Sequence, residues 1–178
     1  LEAKSKAPAT KTVTAESITP AQFAQIQAAA EKGNVTAMFN LGVLYMVGKG
    51  TEKNPELALK WLEKAADKGD TRAMVNLGAA YANGMGAEKS LDQASKWFEK
   101  AANAGDSQAM LNMAMMAANG ATGEKNPEAA AKWLQKAANK KHPEAMLNLG
   151  VAYAEGFGLP KDAKKGVEWF RKAAAAGH

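Results

Sequence analysis

The sequence predicts an all-α chain: an array of helix-turn-helix repeats with a 36-residue period. Three observations carry that prediction. All four tryptophans, Trp61, Trp97, Trp133 and Trp169, fall on one 36-residue comb, and the three tyrosines, Tyr45, Tyr81 and Tyr153, fall on another of the same period. Ala37, Ala73, Ala109 and Ala145 keep the same register, as do Gly48, Gly84, Gly120 and Gly156 and the Lys-Ala-Ala triplets that begin at Lys64, Lys100, Lys136 and Lys172. Every long segment has helical apolar spacing and every break is a Gly-rich turn, which leaves no place for a strand. Units of this size cannot bury their apolar faces alone, so they are expected to stack into one continuous core with an elongated surface.

Residues 1–19 (LEAKSKAPATKTVTAESIT) are rich in Lys, Ala, Ser, Thr and Pro and read as a flexible leader or spacer. Residues 20–36 read as a lone second helix that caps the array, because Ala29-Ala30-Glu31-Lys32-Gly33 aligns with Ala65-Ala66-Asp67-Lys68-Gly69. Four repeats follow, at 37–72, 73–108, 109–144 and 145–178, making residues 20–178 one solenoid. In each, the first segment is nearly free of charge; in Ala37–Val47 the core stripe is Ala37, Leu41, Leu44 and Tyr45. Gly48 and Gly50 end it, and Asn54-Pro55 restarts the chain with proline at a first helical turn. The second segment is amphipathic, with Leu57, Ala58, Trp61, Leu62 and Ala65 facing inward and Glu56, Lys60, Glu63, Lys64 and Asp67 facing water. Gly69 supplies the left-handed closing residue. The tryptophans are therefore expected to be structural.

The phrases AMFNLGVLYMVGKG…NPELALKWLEKAADKG, AMVNLGAAYANGMG…SLDQASKWFEKAANAG and AMLNLGVAYAEGFG…AKKGVEWFRKAAAAG resemble the Sel-one-like repeat, the 36-residue relative of the tetratricopeptide repeat, over residues 37–178. That resemblance implies a right-handed superhelix of antiparallel helix pairs, with first helices on the concave side and second helices on the convex side. It further implies an adaptor or scaffold that holds a protein partner, and in bacteria many such proteins are exported. A periplasmic or secreted address is therefore expected, with the cytoplasm as the alternative; the absence of cysteine fits either. Two further roles held within the family are immunity or inhibition of a toxic effector and, in a few members, hydrolysis.

The third unit departs from the pattern. It reads Met113-Ala114-Met115-Met116-Ala117 where the others have Leu-Gly-x-x-Tyr, Thr122 where they have Gly50, Gly86 and Gly158, and Lys141 in place of the closing glycine. It is expected to be the softest part of the array. At the far end of the array, the sequence stops after the fourth second helix with Val167, Trp169 and Phe170 expected to be uncovered, which raises self-association through that helix as an alternative role.

No catalytic, cofactor or metal constellation is present in the sequence. His142 and His178 lie in a turn and at the terminus, away from any nucleophile, and read as surface residues. The loop acids Glu52, Glu88 and Glu124 lack partners at calcium-loop spacing. Net charge is +5, but the 23 basic and 18 acidic residues are interspersed and only Arg72 and Arg171 are arginine, a pattern that argues against nucleic acid. No uncharged stretch reaches the roughly 20 residues needed to span a bilayer. What remains is a binding surface. Asn40, Asn76, Asn112 and Asn148 recur along the first helices, where an amide could grip a peptide main chain or else tie neighbouring helices together. Beside them runs an apolar face: Phe39, Val43 and Met46; Val75, Ala79 and Ala82; Leu111, Met115 and Ala118; Leu147, Val151 and Ala154. Four of the nine methionines lie at 110–116, and methionine conforms to irregular partners. A non-enzymatic surface for a protein or peptide is the expectation, with no cofactor.

Overall fold

The computed structural model describes residues 17–177, so the leader expected at 1–19 lies mostly outside the described residues, as does His178. The described residues hold nine α-helices and no strand: α1 (Pro20–Glu31), α2 (Val35–Val47), α3 (Pro55–Asp67), α4 (Thr71–Asn83), α5 (Leu91–Asn103), α6 (Ser107–Asn119), α7 (Pro127–Asn139), α8 (Pro143–Glu155) and α9 (Ala163–Ala175). Each helix packs on its neighbours in the chain, most closely within the pairs α2/α3, α4/α5, α6/α7 and α8/α9. The cap helix α1 lies on α2, where Phe23 meets Tyr45 edge to face at 5.6 Å. A capping box fixes its start: Gln22 N–H donates to Thr19 Oγ1 at 3.2 Å, and Thr19 N–H donates to Gln22 Oε1 at 3.0 Å.

Small residues set the spacing within a pair. A Cβ on Gly42, Gly78 or Gly150 would stand 2.7, 2.5 or 2.7 Å from Leu62, Phe98 or Phe170, so each glycine lets a large side chain of the second helix lie against the first-helix backbone. The same loop hydrogen bond closes each unit, from Asn54, Ser90, Asn126 and Asp162 N–H to the carbonyls of Tyr45, Tyr81, Ala117 and Tyr153 at 2.8–2.9 Å. Successive units also touch through these loops. A side chain at Gly86 or Gly158 would collide with the carbonyl of Pro55 or Pro127 in the unit before, and both glycines have positive φ, +79° and +69°.

Three details refine the expectations. Buried residues form two clusters, around Leu41, Leu62 and Leu77 and around Leu134, Ala145 and Leu149, with half-buried Met74 packed against both. Between them α5, with Gln93 and Ser95 in place of Leu57 and Leu59 of α3, still buries Ala94, Phe98, Ala101 and Ala102. The tryptophans are half-buried, each with one ring face under a lysine: Lys64, Lys100, Lys136 and Lys172 ammonium groups lie 4.4, 4.6, 4.6 and 4.2 Å from the indoles three residues earlier. They pack against the buried clusters from the side, as structural residues. His142, expected as a surface residue, is also the N-cap of α8. Its Nδ1 accepts from Ala145 N–H at 3.4 Å while Nε2 lies 3.1 Å from Gln108 Oε1, which assigns the tautomer with the proton on Nε2.

Candidate functional site: the first-helix face

Charge is divided unequally between the two helix types. α2 and α6 carry no charged residue and α4 carries only Arg72, whereas α3 and α9 each carry five. Six large apolar side chains are notably exposed: Val47, Met85, Met115, Val151, Phe157 and Val167. All but Val167 lie on first helices or on the loops directly after them.

The expected site residues divide by depth. Val43, Ala79, Met115 and Val151 occupy one repeat position; Met115 is 46% and Val151 40% exposed, Ala79 is exposed and Val43 half-buried. Phe39, Val75 and Leu147 are half-buried. Leu111 departs from its expected place on the surface: at 3% exposure it belongs to the second core cluster, against which Val75 and Leu147 also pack. Phe39 is partly covered as well. The Arg72 guanidinium stacks 4.3 Å above its ring and is held there by Asp70, with Nη2 to Oδ2 at 2.7 Å and Nε to Oδ1 at 3.2 Å. Burial pushes the Asp70 carboxyl up, but the Arg72 side chain and the Ala73 and Arg72 amides together hold it below the usual carboxylate range.

The asparagines are all half-buried at the sides of this face. Among the described residues Asn40, Asn76 and Asn148 make no side-chain hydrogen bond, and Asn112 Oδ1 accepts one at 3.3 Å from Gln108 Nε2 within its own helix. They do not tie helix to helix. An apolar cleft of about 240 Å³ opens between α2 and α4, with Asn76 beside Val43, Met46, Val47, Ala79 and Met85 and with Leu62 and Ala80 behind. Sequence periodicity pointed to Val43 and Asn76 but missed Met85 and Phe157, since both lie in loops and only their 72-residue separation marks them. No group of three or more His, Asp or Glu among the described residues is placed to hold a metal ion. No described helix is long and apolar enough to cross a membrane.

This helix-pair geometry has a match in sequence. Four consecutive Sel1 repeats occupy residues 35–70, 71–106, 107–142 and 143–178, the period found above framed two residues earlier. The chain belongs to the Sel1 repeat family. Solved structures agree. A Sel1 repeat protein from Oxalobacter formigenes is 32% identical with a TM-score of 0.85 over 89% of this chain and 65% of its own. A protective antigen of uropathogenic Escherichia coli is 28% identical with a TM-score of 0.86, also over 89% of this chain. This chain spans only 34% of that antigen's length, and a little under two thirds of the Oxalobacter protein's. Among curated proteins none matches by sequence. Sel1 repeats are generally protein-interaction modules, and the chain is one of these arrays.

Proposed function

We propose that the surface made by α2, α4, α6 and α8 is a non-enzymatic binding face for a protein or peptide. The observation that carries the proposal is the concentration of exposed apolar side chains on these helices and their loops, against a charged second-helix side. An exposed apolar stripe of this kind marks a partner surface. Asn40, Asn76 and Asn148, with no intramolecular partner among the described residues, supply donors and acceptors for a bound main chain. Affinity then comes from apolar burial around Val43, Ala79, Met115 and Val151, with the amides fixing orientation.

The test uses the partner recovered with the protein from its native source. Met115→Glu and Val151→Glu should abolish co-purification while leaving the melting temperature nearly unchanged, because both side chains already face water. Val167→Glu, at similar exposure on the second-helix side, should leave it intact. Loss with Val167→Glu alone would move the site to the last helix and revive self-association there. Asn76→Ala should weaken binding by about 1 kcal/mol or more.

A further inference from the structure

The two halves of the first-helix face carry different chemistry. The cleft between α2 and α4 brings Val43, Ala79 and Met85 together. Two units on, the same three repeat positions hold Met115, Val151 and Phe157, each a larger side chain. All three stay open to water, Met115 at 46%, Val151 at 40% and Phe157 at 39%. The α6/α8 half is therefore the more apolar surface.

Charge changes over the same two units. Thr36, Arg72, Gln108 and Glu144 share the second position of their helices, and Val47, Asn83, Asn119 and Glu155 share the last. Glu144 and Glu155 are thus the carboxylates of the first helices, one at each end of α8. Lying seven residues before and four after Val151, both turn to its side of the helix and bracket it, about 16 Å apart along the axis. Both are exposed, and the ion pair among the described residues is Arg72 with Asp70, so neither glutamate is neutralised by contact, even by Lys141 or Lys161 nearby in sequence. At Glu155 the negative end of the α8 dipole adds to the carboxylate's attraction for a cation. The other half of the face carries the opposite sign, with Arg72 on α4 and exposed Lys49 in the loop after α2.

We infer, resting on the reading of this face as a partner surface, that its α6/α8 half takes a peptide segment whose apolar side chains are flanked by Lys or Arg. The apolar side chains cover Met115, Val151 and Phe157, and the flanking cations reach Glu144 and Glu155. The half-buried Asn148 amide, without a hydrogen bond among the described residues, is left for the segment's main chain. Arg72 and Lys49 repel the same cations, so charge decides which half of the face the segment occupies. An acidic segment is turned away from Glu144 and Glu155 for the converse reason.

The test titrates the peptide Lys-Ser-Leu-Ser-Leu-Ser-Lys into the ¹⁵N-labelled protein; in an extended chain its lysines and leucines all face one side. It should shift the amides of Met115, Asn148, Val151, Glu155 and Phe157, and added salt should weaken it. Glu-Ser-Leu-Ser-Leu-Ser-Glu should bind at least fivefold more weakly, as should Lys-Ser-Ser-Ser-Ser-Ser-Lys, which lacks the apolar half. Glu155→Gln and Glu144→Gln should each weaken the first peptide at least threefold with the melting temperature nearly unchanged, since both side chains are exposed. Glu99→Gln, an exposed carboxylate on the second-helix side, should have no effect. Equal binding of the acidic peptide, shifts centred on the α2/α4 cleft, undiminished binding by the Glu144→Gln, Glu155→Gln double variant, or no shift on the first helices would each overturn the inference. Co-purification with Met115→Glu decides separately whether the face binds a partner at all, so the two readings fail independently.

Discussion

The second unit, residues 71–106, and the third, residues 107–142, are built on one 36-residue plan and packed to different standards. In the second, Leu77 is fully buried, Gly78 lets Phe98 lie against the α4 backbone, and Tyr81 Oη donates to Glu63 Oε1 of the unit before at 3.2 Å. In the third, Met113 at the Leu77 position is half-buried, Ala114 replaces the glycine, Leu134 replaces the phenylalanine, and Ala117 replaces the tyrosine with its hydrogen bond. The loops diverge too. Gly86 seats its loop against Pro55, whereas Thr122, lacking glycine's freedom, leaves an open crevice beside Leu91 and Asp92. A repeat array adds up interface terms from neighbour to neighbour, so one poorly determined unit weakens the whole at that point. Shared periodicity therefore guarantees the shape of a unit and not its stability.

The sharpest way to break this comparison is to empty the pair joint. Phe98→Ala should cost about 4 kcal/mol by chemical denaturation, and Leu134→Ala in the looser unit about 3 kcal/mol. The loop contact comes next. Gly86→Ala should cost about 2 kcal/mol, from strain at positive φ together with collision at the Pro55 carbonyl, while Thr122→Ala should change stability by less than about 0.5 kcal/mol. Lys141→Gly should stabilise the third unit by about 1 kcal/mol, whereas Gly105→Lys in the second should destabilise by a similar amount. The smallest effect is a pH dependence at the N-cap of α4. The folded carboxyl of Asp70 is held low, so its stabilisation is present above the ordinary carboxylate range near ~3.9 and is lost as pH falls through its lowered folded value. Asp70→Asn should accordingly flatten the fall in melting temperature between neutral and strongly acid solution; an unchanged fall would show that the Arg72 pair contributes nothing.

Much of this was legible in the residues. The period gave the helix pairs, the turns and the inward stripe, because Leu41, Tyr45, Leu62 and Ala65 recur at spacings that only a helix turns to one side. The third unit's departures were readable at Met113, Ala117 and Lys141, and the weakness expected from them is the prediction that exchange tests. Depth was not. Leu111 and Met115 lie four apart on one helix, yet one is buried in the second core cluster and the other faces water, a difference that helical spacing alone does not set. The covering of Phe39 by Arg72 and the role of His142 as a cap that reaches Gln108 likewise join residues 33 and 34 apart, which helical spacing does not reveal.

Amide hydrogen exchange across the intact array measures the difference between the two units most directly. Residues 107–142 should exchange through local opening well before residues 71–106, with the earliest loss of protection around Ala117 and the Thr122 loop. Equal protection of α6 and α4 would contradict the account and show that methionine and alanine fill the third unit as well as leucine, glycine and tyrosine fill the second.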